Sequence, residues 1–282
     1  MRSSTFKTTA FLCIVCTILS LPAFASSDNF RLRAHQTNIN RNTAEDVDAE
    51  IHFGKSIAAR ILGQYPIVHD QRLINYVNLV GQALALNSNR SDIEFHFTVL
   101  DADFINAYST PGGYVFVTRG AIDAMQNEAE LAAVLAHEVA HISEKHIVKE
   151  FKIQGEESSA TASISALLGS SSSSTKVAFS QAVDNAVNML LSEGFKHTEE
   201  IEADQDAILL LASTGYSPQA LPEFLARIKN KTNHAKNKSH KPTHPPTEKR
   251  LKALKHFARQ EGLDSMQLPH GTRRFAQYVE NK

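Results

Sequence analysis

The segment from Asn127 to Phe151 constrains the fold more than any other part of the chain. Asn127, followed three residues later by Glu130, forms a helix start of the capping-box type. The residues from Leu131 to Ala136 are all apolar, and the helical spacing of apolar residues continues beyond them. Together these features predict one long helix that ends near Phe151 and whose middle is buried.

This helix carries the motif HEVAH at residues 137–141. Positions four apart lie on one face of a helix, so His137 and His141 can bind one metal ion. Glu138 lies beside that face, where it can take a proton from metal-bound water. The alternative is a helix whose histidines are hydrogen-bonded in the core or face water. Burial of these three side chains without a partner or a metal would cost free energy, which favours the metal site.

A catalytic zinc site needs a third protein ligand and one open position. Candidates lie in the sequence EEIEAD, residues 199–204. On a helix, Glu200 and Asp204 share a face and Glu202 points away. The spacing therefore favours Glu200 with Asp204, but it leaves Glu199 open. The alternative is a solvated acidic helix start that interacts favourably with the helix dipole.

A small sheet is predicted before the HEVAH helix. Apolar and polar residues alternate from Ile93 to Val99, as in a half-buried strand. Further strands are predicted over Phe104–Tyr108 and Tyr114–Thr118, with a turn at the sequence PGG, residues 111–113. We expect these strands to form an antiparallel sheet linked by hairpins.

The N-terminus has the three parts of a secretory signal peptide, predicted over residues 1–25. Arg2 and Lys7 give a positive start, Ala10 to Leu21 is almost wholly apolar, and Ala23-Phe24-Ala25 is a small-x-small cleavage site. An uncleaved anchor is the alternative, although the apolar stretch is shorter than the about 20 residues of a spanning helix. We expect a periplasmic protein that can contact the membrane peripherally and has no transmembrane span in the mature chain.

The rest of the chain is predicted to be one catalytic domain over residues 43–262. A flexible segment, residues 26–42, precedes it, and a tail, residues 263–282, follows the predicted last helix at about Thr247 to Gln260. Within the domain, a serine-rich flexible insertion covers residues 156–175 and a polar loop near the site covers residues 229–246. The formal net charge of −1 gives no reason to expect nucleic acid as a partner.

Four motifs together resemble metallopeptidase family forty-eight over residues 45–260. They are HEVAH, then Glu-x-x-Ala-Asp at residues 200–204, Asn106-Ala107 followed by PGGYVFVTRG at residues 111–120, and Thr-His-Pro at residues 243–245 followed by Arg250. The family includes the CAAX prenyl protease, HtpX, Oma-type and BepA-type peptidases. Among these, the chain is most similar in type to compact periplasmic BepA-like members without the repeat domain.

The resemblance implies an α+β, zincin-like (gluzincin) single domain, mostly helical, with a small antiparallel sheet next to the active-site helix. It implies one Zn²⁺ per chain, with Glu200 as the third ligand beside His137 and His141. Asp204 would orient a ligand histidine or donate a proton. Asn106 and Ala107 would border the cleft on an edge strand that pairs with substrate.

Three further histidines are weighed against the family pattern. His244 would approach the zinc and act as a gate or fourth ligand, or else pack beside the site without touching metal. His146 is expected to be structural, because it lies off the face shared by the two ligand histidines. His197 stands where many family members have arginine.

The resemblance implies a zinc metalloendopeptidase with Glu138 as general base, acting in envelope protein quality control. Expected partners are peptides, unfolded proteins and outer-membrane assembly proteins. The alternative function is a zinc-containing periplasmic chaperone or scaffold with little or latent proteolytic activity.

Overall fold

The computed structural model describes residues 44–153, 173–234 and 243–279. The predicted signal peptide, the segment 26–42 and most of the serine-rich insertion lie outside these residues. The described helices are α1 (Ala44–Gln64), α2 (Gln71–Ala85), α3 (Arg119–Asp123), α4 (Glu128–Ser143), α5 (His146–Glu150), α6 (Ser173–Asn188), α7 (His197–Thr214), α8 (Ala220–His234), α9 (Glu248–Gln260) and α10 (Thr272–Val279). The strands are β1 (His96–Leu100), β2 (Ala107–Thr110) and β3 (Tyr114–Thr118).

The strands form one mixed sheet in the order β1-β3-β2. β2 and β3 pair as an antiparallel hairpin, with Ala107 opposite Val117. β1 instead runs parallel to β3, with His96 opposite Tyr114. The expectation of an antiparallel sheet is therefore wrong for β1. Its alternating pattern predicts a strand with one buried face, but it carries no information about the direction of the neighbouring strand.

The sheet order leaves β2 at an edge, where it has no further strand neighbour among the described residues. The opposite edge of β1 is partly covered, because Ile67 forms an antiparallel bridge with Leu100. The observed β2 also begins three residues later than the predicted strand at Phe104–Tyr108. Its first residue, Ala107, follows directly on Asn106, whose side-chain oxygen accepts a hydrogen bond from the Ala107 amide at 3.1 Å.

Helix α4 lies in the middle of the molecule and begins as predicted. The Asn127 side chain accepts a hydrogen bond from the Glu130 amide at 3.0 Å. The Glu130 carboxylate in turn accepts one from the Gln126 amide at 2.8 Å. Every residue of the helix from Glu128 to Ile142 is buried except Val134. The apolar run before HEVAH thus holds the motif inside the core.

The end of α4 differs from the prediction of a helix that continues to about Phe151. The helix ends at Ser143, and Lys145 adopts a left-handed conformation with φ of 57°. A separate short helix, α5, then starts at His146. The buried Arg90 side chain donates a hydrogen bond to the Ile142 carbonyl at 3.0 Å, which satisfies a backbone group at the helix end. This break turns His146 back toward the HEVAH motif.

The segment predicted as a C-terminal tail contributes to the core. Its helix α10 buries Phe275, and Arg274 forms an ion pair with the buried Glu128 at the start of α4. Tyr278 stacks on Tyr76 with ring centroids 4.3 Å apart. Among the described helices, none has the length and the apolar character needed to cross a bilayer.

Candidate active site

The HEVAH motif presents its two histidines on one side of α4. The Nε2 atoms of His137 and His141 lie 3.1 Å apart. Both side chains are buried. This arrangement follows from the i, i+4 spacing, which places both rings on one helix face.

Glu200, in the first turn of α7, approaches both imidazoles. Its Oε2 lies 3.6 Å from His137 Nε2, and its Oε1 lies 3.4 Å from His141 Nε2. Glu199 instead caps the start of α7 by accepting a hydrogen bond from the Lys196 amide at 2.9 Å. Of the two glutamates that the spacing left open, the fold therefore brings Glu200 to the histidines.

His244 completes a cluster of four side chains. Its Nδ1 lies 2.8 Å from Glu200 Oε1 and 3.3 Å from His137 Nε2. One ligand atom from each of His137, His141, Glu200 and His244 lies within 4.8 Å of the others. His244 therefore lies directly against the other three side chains of the cluster.

The spacing of these atoms fits a metal ion. Donors at about 2.0–2.1 Å from a tetrahedral zinc lie roughly 3.3 Å from one another. The contacts among His137, His141 and Glu200 are 3.1, 3.6 and 3.4 Å. Two imidazoles with one carboxylate are also the donor set of many hydrolytic zinc sites. The residues present therefore fit a divalent metal.

Asp204 and Arg250 contact the ligand cluster on the side of His137 Nδ1 and Glu200 Oε2. Asp204 Oδ1 lies 3.1 Å from His137 Nδ1, the ring nitrogen that faces away from the other donors. Arg250 donates to both Asp204 oxygens at 2.8 and 2.7 Å, and its Nη1 lies 2.6 Å from Glu200 Oε2. In the sequence, Arg250 stands out only as part of a motif. Its contacts show that it joins the two carboxylates of α7.

His146 takes part in a second supporting chain, which the sequence pattern does not predict. Its Nδ1 lies 2.8 Å from His141 Nδ1, and its Nε2 lies 3.2 Å from Glu202 Oε2. Phe195 stacks on the other side of the His141 ring, with centroids 3.9 Å apart. The expectation that His146 lies off the face shared by His137 and His141 assumed an unbroken α4. The spacing of His146 gives no hint of this contact, because the chain turns at Lys145.

Glu138 lies beside the histidines and is buried. The Ser109 hydroxyl, on β2, donates a hydrogen bond to Glu138 Oε2 at 2.7 Å. His244 Nε2 lies 3.6 Å from the other oxygen, Oε1. Directly before the same strand, Asn106 accepts a hydrogen bond from the Thr243 hydroxyl at 3.2 Å. The loop that carries His244 therefore lies across both Glu138 and the edge of the sheet.

Charges in the cluster compensate one another in the metal-free site. Burial opposes ionisation of Glu200, but His244 and Arg250 outweigh it and hold the pKa of Glu200 well below its usual range. Burial likewise opposes a charge on His137, yet Asp204 and Glu200 raise its pKa to about 9. For His141, burial dominates and lowers the pKa well below its ordinary value. Without a metal ion, the neighbouring carboxylates thus favour a proton on His137, whereas burial disfavours one on His141.

Comparison with known proteins agrees with this geometry. The model of the family described as Peptidase family M48 matches residues 72–258, which include the HEVAH helix, Glu200 and Arg250. The chain belongs to peptidase family M48. The resemblance predicted from the motifs is therefore confirmed, and so is the zincin-like, mostly helical single domain.

Several M48 relatives cover most of this chain. The beta-barrel assembly-enhancing protease of Escherichia coli strain K12 is 28% identical over 85% of this chain and 49% of its own length. The mitochondrial metalloendopeptidase OMA1 of Schizosaccharomyces pombe is 26% identical over 77% of this chain and 64% of its own length. Metalloprotease YcaL of Escherichia coli strain K12 is 28% identical over 76% of this chain and 81% of its own length. The chain spans about half the length of the assembly-enhancing relatives it matches.

Proposed function

We propose that this M48 metalloprotease is a zinc-dependent metalloendopeptidase that hydrolyses peptide bonds with Glu138 as general base. The observation that carries the proposal is the convergence of His137, His141 and Glu200 at ligand spacing, with the Glu138 carboxylate beside them. No other group of metal-binding side chains of this kind is found among the described residues.

His137, His141 and Glu200 would hold the zinc ion. When bound, zinc polarises a peptide carbonyl and lowers the pKa of a coordinated water toward about 7. Glu138 would accept the proton of the attacking water and pass it to the leaving nitrogen. Ser109 donates to Oε2 of Glu138, so Oε1 is the oxygen that remains for this transfer. Asp204 would keep the His137 ring in place through Nδ1.

An extended substrate would lie along the edge strand β2. Asn106 directly precedes this strand, Ala107 begins it, and Ser109 connects it to Glu138. Main-chain hydrogen bonds to an open strand edge bind a peptide without demanding a particular sequence. The loop containing Thr243 and His244 would have to move aside first, because it contacts both Asn106 and the ligand cluster.

The proposed setting is the periplasm. The signal peptide at residues 1–25 would direct export and then be cleaved. There the enzyme would act in envelope protein quality control, on unfolded or outer-membrane assembly proteins. The names of the assembly-enhancing relatives support this setting. The predicted signal peptide supports export.

The test compares wild type with Glu138→Gln, using purified protein with a measured zinc content. Glu138→Gln is isosteric and leaves the three proposed ligands unchanged. We expect full zinc content with a loss of at least about 100-fold in peptide hydrolysis, as for removal of a general base. A Glu138→Gln protein that cleaves at the wild-type rate would refute the assignment.

A second candidate function is a zinc-containing chaperone or scaffold with latent proteolytic activity. The position of His244, 3.3 Å from His137 Nε2 and 2.8 Å from Glu200 Oε1, favours it. A side chain in the fourth coordination position would keep water and substrate away from the site. Complementation of a deletion strain separates the two functions. Full rescue by Glu138→Gln favours binding, whereas loss of rescue favours hydrolysis.

A further inference from the structure

Helix α9 carries a row of exposed basic side chains. Its one acidic residue, Glu248, forms an ion pair with Lys229 of α8. The exposed basic residues that follow are Lys249, Lys252, Lys255, His256 and Arg259. At 3.6 residues per turn, these residues lie within roughly 120° of the helix circumference and extend over about 15 Å. They form the basic face of α9.

The basic face is a local excess of positive charge. The whole chain is nearly balanced, with 29 lysine and arginine residues against 30 acidic residues. The four lysine and arginine side chains of the basic face have no ion-pair partner among the residues that the structure describes. An exposed cluster of one sign without partners produces a field that attracts anions.

The stability of the helix does not account for this arrangement. Lys249, Lys252 and Lys255 follow one another at a spacing of three residues, and Arg259 lies four residues further on. Like charges at these spacings are neighbours on the helix surface and destabilise it. The helix dipole favours Arg259 in the last turn but disfavours Lys249 in the first turn. An anionic partner would relieve the repulsion among these cations.

The opposite side of α9 belongs to the candidate active site. Arg250 lies about 160° around the helix from the middle of the basic face. It is buried and forms ion pairs with Glu200 and Asp204. It also donates a hydrogen bond to the Pro245 carbonyl at 3.1 Å, directly after His244 in the chain. A surface bound by the basic face would therefore lie about one helix diameter, roughly 10–12 Å, from the site.

We propose that the basic face of α9 binds a membrane surface that carries anionic phospholipid headgroups. Four lysine and arginine residues on one amphipathic helix are typical of a surface that binds anionic lipids. Three of the four are lysines, whose compact ammonium groups bind phosphates as point charges, without a fixed geometry. A protein partner would instead require apolar or aromatic side chains at the centre of the interface, and the basic face has none.

This inference does not depend on the proposed peptidase function, because it concerns only residues outside the ligand cluster. The test measures binding of the purified, zinc-loaded protein to vesicles by flotation. One set of vesicles contains phosphatidylcholine alone, and the other contains phosphatidylcholine mixed with phosphatidylglycerol. We expect at least about tenfold stronger binding to the mixed vesicles, because each lysine or arginine near an anionic surface contributes about fivefold. Salt at about 1 M should abolish this preference, because it screens exposed charges.

Three charges of the basic face are neutralised together by Lys252→Gln, Lys255→Gln and Arg259→Gln. A matched control removes the same kinds of charge at exposed positions on α1 and α6, by Lys55→Gln, Arg60→Gln and Lys176→Gln. Helices α1 and α6 pack in a different hydrophobic cluster from α9. The α9 variant should lose at least about tenfold in binding to the mixed vesicles, and the control should lose less than about twofold.

Far-ultraviolet circular dichroism and zinc content verify that both variants are folded. Equal binding of the wild type to both kinds of vesicle overturns the inference, and so does an equal loss in the α9 variant and its control. Immobilised poly-glutamate probes for an acidic protein partner. Wild type that binds poly-glutamate through α9 but ignores both kinds of vesicle would also overturn the inference, in favour of such a partner.

Discussion

The Nδ1 atoms of His141 and His146 lie 2.8 Å apart, and the second ring nitrogen of His146 faces Glu202. A His141 that binds metal through Nε2 carries its proton on Nδ1 and donates it to His146. His146 then carries its own proton on Nε2, where the Glu202 carboxylate accepts it. In the proposed metal site, this chain would fix the tautomer and the orientation of His141, as proposed for Asp204 and His137.

His146→Ala should therefore weaken zinc binding by about 10–100-fold, the usual effect of removing a group that orients a metal-binding histidine. Competition with a chromophoric chelator measures the affinity. His256→Ala, at an exposed position on α9, is the control. Zinc affinity of His146→Ala equal to that of the control would contradict the role assigned to this chain.

Arg250 is fully buried and compensates two carboxylates, Glu200 and Asp204. Arg250→Met leaves both without their cation, so the metal-free protein should lose about 3–5 kcal/mol of unfolding free energy. Urea unfolding measures this loss. Arg259→Met, at an exposed site on the same helix, should change the stability by less than about 0.5 kcal/mol. A similar small change for Arg250→Met would show that the ion pairs contribute little.

Ionisation of Asp206 should lower the free energy of unfolding as pH rises. Burial, followed by the nearby Glu144 carboxylate, raises the pKa of Asp206 to about 8. The folded state thus binds the proton more tightly than the unfolded state, whose carboxyl titrates near its ordinary value of 3.8. Stability is lost between these two pKa values as pH increases.

Asp206→Asn removes this ionisation. It should raise Tm relative to wild type at about pH 8.5, and by less at about pH 5, where the wild-type carboxyl is protonated. Thermal unfolding followed by circular dichroism at both pH values checks the difference. Asp264→Asn, at an exposed position, should show no such pH dependence. An equal change in Tm at both pH values would argue against a raised pKa for Asp206.

Gly194 allows the loop with His244 to approach the site. It has φ of 81°, and a Cβ at this position would lie 2.1 Å from the Thr243 carbonyl oxygen. Gly194→Ala should destabilise the protein by more than about 1 kcal/mol, because alanine disfavours this positive φ and its Cβ would clash with the Thr243 carbonyl. Gly63 lies inside α1, and a Cβ at this position would have no atom from another part of the protein within 4 Å. Gly63→Ala should stabilise by about 0.4–1 kcal/mol, and equal effects of both substitutions in urea unfolding would exclude the close approach.

Local sequence patterns predicted the parts of the site that lie within one or two helical turns. The spacing of His137 and His141, the cap at Asn127 and the pairing of Glu200 with Asp204 all depend on helix geometry alone. Which glutamate of α7 would face the histidines depended on the packing of α7 against α4. The spacing favoured Glu200 together with Asp204 but left Glu199 open, and the resemblance to a family then pointed to Glu200.

The missed features depend on contacts between distant segments. His146 reaches His141 only because the chain turns at Lys145, and its glutamate partner comes from α7. Ser109 reaches Glu138 because β2 lies at the sheet edge, on the side opposite to β1. A period of two identifies a strand but not its neighbours, so neither the parallel β1–β3 pair nor this contact followed from the pattern.

Anomalous diffraction at the zinc absorption edge, from crystals of the zinc-loaded protein, tests the central claim most directly. One zinc peak is expected at about 2.0–2.2 Å from His137 Nε2, His141 Nε2 and a Glu200 oxygen. The Glu200→Ala protein should lose most of this peak. A zinc ion bound elsewhere, or one held by the histidines while Glu200 stays out of bonding distance, would contradict the account.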